Sequence, residues 1–196
     1  MNLIQKSLLF YFLTLFSYSN AQNLVPNPSF EEYIGCPGNI HQLDSCKDWS
    51  PGWGSCDYYN ECHNTLTGMN VWQGYAGVPY NLHGYLHANS GIAYAGFVAN
   101  SNSASVDREF IQTLLLDSLK PGVEYEVSMY LSIPHNDEHQ PIGNIGVHFT
   151  KDTVDVSYSA GNMSLCCEAH VEYDTVPTQH NIWLKLSKRY IAEGGE

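Results

Sequence analysis

Basic side chains are scarce in this chain. Eight Lys and Arg stand against 20 Asp and Glu, for a formal net charge of −12. That balance excludes nucleic acid as an expected partner, because contact with a phosphate backbone needs clustered Lys and Arg. Long apolar runs are also scarce: beyond residue 21 none approaches the length of a transmembrane helix. No G-x-S-x-G elbow, P-loop or dinucleotide fingerprint occurs, so no motif supports an enzymatic reading. Amphipathic helical periodicity, internal repeats and low-complexity linkers are absent as well.

Among the features present, the first 21 residues read as a signal peptide. Lys6 supplies the charged start, residues 8–16 (LLFYFLTLF) the short apolar stretch, and Ser19 and Ala21 the small residues of a cleavage site. No Cys follows at once, so lipidation is not indicated. The expected mature chain begins at Gln22, has 175 residues, carries seven basic residues against 20 acidic ones (net −13) and is exported. An even count of six cysteines in an exported chain predicts disulfides at Cys36, Cys46, Cys56, Cys62, Cys166 and Cys167. Fifteen pairings are open; short-loop closure favours Cys36 with Cys46 and Cys56 with Cys62. The adjacent Cys166 and Cys167 either form a strained vicinal bridge or pair elsewhere. The spacings match no finger or ribbon pattern for zinc.

Residues 123–133 alternate strictly, with Val123, Tyr125, Val127, Met129, Leu131 and Ile133 on one face. Glu124, Glu126, Ser128, Tyr130 and Ser132 take the other, the mark of a half-buried antiparallel strand. Residues 108–116 before it read as its hairpin partner across a turn that uses Pro121 and Gly122. Further strands are expected at 23–33 (an edge or bulged strand, given Pro26 and Pro28), 92–99, 110–116, 144–150, 153–158, 169–173 and 182–191. Residues 35–87 read as a long aromatic loop region stapled by disulfides. These elements predict an all-β chain, an antiparallel β-sandwich or jelly roll in a single domain over 22–196. The final residues, AEGGE, read as a turn, and a closing strand and downstream domains are expected beyond them.

Two histidine spacings suggest metal chemistry. His135, Glu138 and His139 spell H-x-x-E-H, but between Pro134 and Pro141 they read as a loop rather than the helix a zinc peptidase needs. His83 and His87, if extended, would lie about 13 Å apart and could not chelate one ion. The aromatic residues offer more. Trp49, Trp53, Trp72, Tyr58, Tyr59, Tyr75, Tyr80 and Tyr85 crowd one region, interleaved with Asn70, Gln73, Asn81 and Asn89. Sugar rings stack on aromatic planes while amides hold their hydroxyls. Trp53, Trp72, Tyr75, Tyr80, Asn81 and Tyr85 are the candidate ligand-binding residues; packing of the loop on its own aromatics is the alternative.

The segment NLVPNPSFEE (23–32), Trp49, GIAYAG (91–96) and LKPGVEY (119–125) occur in an order that resembles the galactose-binding-like jelly rolls, the fold of several families of carbohydrate-binding modules. The chain is also similar to N-terminal domains of exported Bacteroidetes cell-surface proteins. Some of those continue into outer-membrane protein A-like, gliding or sorting domains. The resemblance implies a non-catalytic outer-surface domain that binds a glycan or cell-wall polymer. It also implies a structural calcium at Glu31 or Glu32, although the usual partner acid on a last strand has no counterpart here. The alternatives are a structural or assembly domain contacting other surface proteins, and an accessory module of a hydrolase.

Overall fold

The computed structural model describes residues 22–63, 75–99, 109–133, 145–154 and 168–194. The signal-peptide reading, Asn70, Trp72, Gln73, the 135–139 motif, Cys166 and Cys167 lie outside the described residues, as do residues 155–158 of one expected strand.

Among the described residues, the regular structure includes ten strands and one 3-10 turn (Leu43–Ser45). They are β1 (Trp49–Trp53), β2 (Asp57–Asn60), β3 (Tyr80–Asn81), β4 (Gly84–Tyr85), β5 (Ala93–Gly96), β6 (Phe110–Thr113), β7 (Glu124–Leu131), β8 (Ile145–Val147), β9 (Val171–Tyr173) and β10 (Leu184–Ile191). All pair antiparallel, two by two: β1 with β6, β2 with β5, β3 with β4, β7 with β10, and β8 with β9. The all-β, antiparallel expectation holds.

The longest ladder joins β7 to β10 over eight residue pairs, Glu124 opposite Ile191 through Leu131 opposite Leu184. The alternation in the sequence is the alternation in space. Tyr125, Val127, Met129 and Leu131 pack on a core of Leu119, Val171, Tyr173, Leu186, Tyr190 and Ala192, while Glu124, Glu126, Ser128 and Tyr130 face water. On that wet face Arg189 reaches Glu124 at 3.0 Å and Lys185 reaches Glu126 at 3.2 Å, exposed pairs that contribute little. Gly122 takes φ +77° in the turn, as expected. The expected hairpin between residues 108–116 and β7 does not form: β6 pairs with β1, and β7 with a strand more than fifty residues later. Alternation marks a strand but not its neighbour.

The expected first strand at 23–33 is also corrected. Apart from one bridge, Tyr33 to Cys46, this segment is a series of turns around Asn27. The Asn27 side chain donates to Glu32 O and Lys47 O, both at 2.8 Å, and accepts from Glu32 N at 3.0 Å. Its own carbonyl accepts from the Trp49 indole N–H at 3.0 Å. Phe30 sits at φ +64°, strained for a bulky side chain. Its ring lies 4.7 Å from that of Trp49, and its carbonyl accepts the Tyr58 hydroxyl at 2.8 Å. Side-chain bonds to the backbone therefore replace the ladder that two prolines would have interrupted.

The expected disulfide pairing is wrong. Cys36 bonds to Cys62, while Cys46 and Cys56 are free thiols in a second core with Leu43, Tyr58 and Ala93. Sequence proximity favoured the short loops, but folding places Cys46 and Cys56 inside, each 1% exposed. Burial, with nearby carboxylates adding to it, pushes both thiols up to about 12. Since an unfolded thiol loses its proton near 8.5, their stabilising contribution is complete below that pH and is lost as pH rises toward 12. Urea unfolding at pH 7 and at pH 10 is expected to show a loss of about 2–4 kcal/mol from the two groups. Equal stability at both pH values, or rapid labelling of Cys46 or Cys56 in the folded chain by a thiol reagent, would contradict this.

Candidate functional site

The region taken as a loop contains β1, β2 and the β3–β4 hairpin. Strand β2 escaped notice because both of its faces are buried, so it shows no alternation. Tyr58 (0% exposed) enters the second core; Tyr59 (3%) enters a third core with Ala76, Val78, Leu86 and Tyr94. Both are packing residues. Truncating either is the kind of change that removes about 3–5 kcal/mol from a core.

The polar atoms of β2 are paired. Asn60 donates to the Tyr58 hydroxyl at 2.8 Å, and the Tyr59 hydroxyl donates to Asp57 at 2.6 Å. The other Asp57 oxygen accepts from His41 N at 2.7 Å, and His83 Nε2 lies 3.5 Å from the first. Burial works to raise the Asp57 carboxyl, but the bonds from His83, Tyr59 and His41 outweigh it and hold the group below its ordinary value. Tyr59 is pushed up, by burial first and then by the Asp57 charge, and remains a phenol donor.

On this base stands the β3–β4 hairpin, a two-residue turn of Leu82 and His83 followed by Gly84 at φ +120°. Asn81 anchors it, donating to the Tyr94 hydroxyl at 2.6 Å and to Gly77 O at 3.3 Å and accepting from His83 N at 3.0 Å. Asn81 thus shapes the hairpin from within. Tyr80 and Tyr85 face each other across it, rings 4.7 Å apart and edge to face. The Tyr85 hydroxyl and His87 Nε2 share a hydrogen bond of 2.6 Å. Tyr75 lies alongside, its carbonyl accepting from Leu82 N at 3.3 Å. Tyr75 is 53% exposed and Tyr85 37%, with Leu82 and His83 also exposed.

Four of the expected binding residues (Tyr75, Tyr80, Asn81 and Tyr85) therefore come together. Trp53 stands apart, half-buried at the end of β1 opposite Phe110. Trp183, not singled out in the sequence, joins this region: its indole N–H donates to His87 O at 2.8 Å and its ring lies edge-on to Tyr94 at 5.7 Å. Lying far along the chain from the other tryptophans, it gave no local signal.

Glu31 and Glu32 are both engaged by protein groups. Glu31 accepts from Ile92 N with both oxygens, at 3.1 and 3.0 Å, against Gly91, where any β-carbon would collide with the carboxylate. Glu32 pairs with Lys47 at 2.6 Å. Glu109 repeats the device at Gly54, accepting from Ser55 N at 2.6 Å and Val98 N at 2.9 Å. These carboxylates tie together backbone segments distant in sequence. Among the described residues no three His, Cys, Asp or Glu side chains gather to hold a metal ion. No family model, curated protein or solved structure matches this chain.

Proposed function

We propose that this chain is an exported, non-catalytic recognition domain whose β3–β4 hairpin binds saccharide, as a glycan or a cell-wall polymer. The observation that carries the proposal is the exposure of Tyr75 and Tyr85 on a frame fixed by Asn81, Tyr94 and Trp183. Aromatic rings held rigidly at a surface give contact area at low entropic cost. The disulfide suits an oxidising compartment, and the resemblance to jelly-roll modules agrees with both parts. A structural calcium at Glu31 or Glu32 belongs to the same reading, with that carboxylate as ligand; a rise in melting temperature with added calcium is its check.

The test compares wild type with the Tyr75→Ala/Tyr85→Ala double variant on a panel of immobilised polysaccharides and peptidoglycan. Retention is expected to weaken by about tenfold or more, since truncating an aromatic hot spot removes about 1–2 kcal/mol or more each. The melting temperature should fall only modestly, because Tyr75 is 53% exposed and Tyr85 gives up its ring contacts and one exposed hydrogen bond. An unbound wild type would leave the reading of a spacer making only protein contacts.

A further inference from the structure

We propose that His83 is the polar contact of this tyrosine face toward a saccharide hydroxyl, and that buried Asp57 is its positioning residue. The inference rests on the saccharide reading above and names the group that would control it.

A side chain in a two-residue turn ordinarily extends into water. The His83 ring instead folds back over β2, edge-on to Tyr59 with centroids 6.4 Å apart and planes at 84°. Its Nε2 points at a carboxylate whose side chain is only 12% exposed, while the imidazole itself is 47% exposed. One edge of the ring is thus held from below, and the ring is partly exposed to solvent. Its main chain is held too, because His83 N donates to Asn81. Asp57 is fixed by two donors that do not move with the ring, the Tyr59 hydroxyl and the His41 amide. A carboxylate so placed favours a proton on Nε2 and one ring orientation, the arrangement by which second partners orient functional histidines.

The groups around this pair are Asp57 and Tyr59 on β2, Tyr94 on β5, Tyr85 and His87 on the hairpin, His41 before the 3-10 turn, and Glu109, whose charge reaches Tyr59. Burial keeps the Tyr59 and Tyr94 phenols protonated. Asp57, held low, is ionised through the neutral range. It is therefore an acceptor for the His83 ring at neutral pH, and removing its charge should weaken retention on saccharide.

The experiment measures retention of wild type, His83→Gln and Asp57→Asn on insoluble peptidoglycan, chitin, cellulose and xylan at neutral pH. Asparagine at 57 can still accept from the His41 amide and donate to the Tyr59 hydroxyl, and thermal melts verify that both variants fold. Wild type is expected to bind at least one probe. Both variants should bind about three- to tenfold less tightly, the loss of one hydrogen bond. Nitrogen NMR of the His83 ring should show the Nε2 proton weakened in Asp57→Asn. Retention of wild type with an unchanged His83→Gln overturns this inference and leaves the saccharide reading standing. A folded Asp57→Asn with wild-type retention and an unchanged His83 ring spectrum overturns the positioning role. A wild type retained on none of the probes overturns both.

Discussion

Replacing Asn27 with alanine is expected to cost about 3–5 kcal/mol, although the residue lies in a segment without regular structure. Glu32 N, Glu32 O and Lys47 O would all lose their partner together. Each buried backbone group left unpaired costs about 1–3 kcal/mol, less where water can reach it. Asn27 also occupies φ +41°, a region that asparagine tolerates better than alanine. The same segment carries strained Phe30 and the Glu31 contact to Ile92, so the loss should extend to the second core. Urea unfolding of Asn27→Ala is the measurement. Asn39→Ala is the control, since the Asn39 side chain bonds only to the adjacent Ile40 amide among the described contacts and should cost about 0.5 kcal/mol or less. A loss below about 1 kcal/mol for Asn27→Ala would show that the hub is dispensable.

Breaking the Cys36–Cys62 bond should have an effect of similar size. The bond spans 26 positions in the chain, and loop-closure entropy for that length corresponds to about 3.5 kcal/mol. For a chain of this size that is a fall of roughly 7–14 °C in melting temperature. The neighbouring His63, almost fully buried, holds Pro37 O at 2.7 Å and would be loosened with it. The Cys36→Ser/Cys62→Ser variant should therefore melt well below the wild type. Cys46→Ala/Cys56→Ala keeps the bond, so added reductant should lower its melting temperature as it lowers that of the wild type, while leaving Cys36→Ser/Cys62→Ser nearly unchanged. A Cys46→Ala/Cys56→Ala variant that reductant leaves unchanged would mean that the pairing in solution is the one short loops favour.

Much of the strand content was legible because residues at 123–131 and 184–191 have one wet and one dry face, which imposes a period of two. The Pro121–Gly122 turn was legible because its backbone geometry demands those residues. What stayed hidden depends on tertiary contact. Strand β2 is dry on both faces, and the β3 and β4 strands are two residues each, too short for any period. The pairing of β6 with β1 leaves no trace in β6 itself. In the candidate site, Tyr75, Tyr80, Asn81 and Tyr85 were recognised from aromatic crowding near an amide. Composition could not separate exposed Tyr85 from buried Tyr59, since burial is decided by partners elsewhere in the chain. Asp57 carried no local signal at all: a carboxylate becomes a buried anchor only when His41, Tyr59 and His83 converge on it.

The central claim is that the β3–β4 hairpin is the binding face. Its most direct measurement is amide chemical-shift mapping during titration with soluble fragments of whichever polysaccharide retains the wild type. The account predicts shifts concentrated at Tyr75, Tyr80, Leu82, His83 and Tyr85, with little change at Trp53 or along the β7–β10 face. Shifts centred on Trp53 and β1, or on Tyr130 and the outer face of β7 and β10, with the hairpin silent, would contradict it.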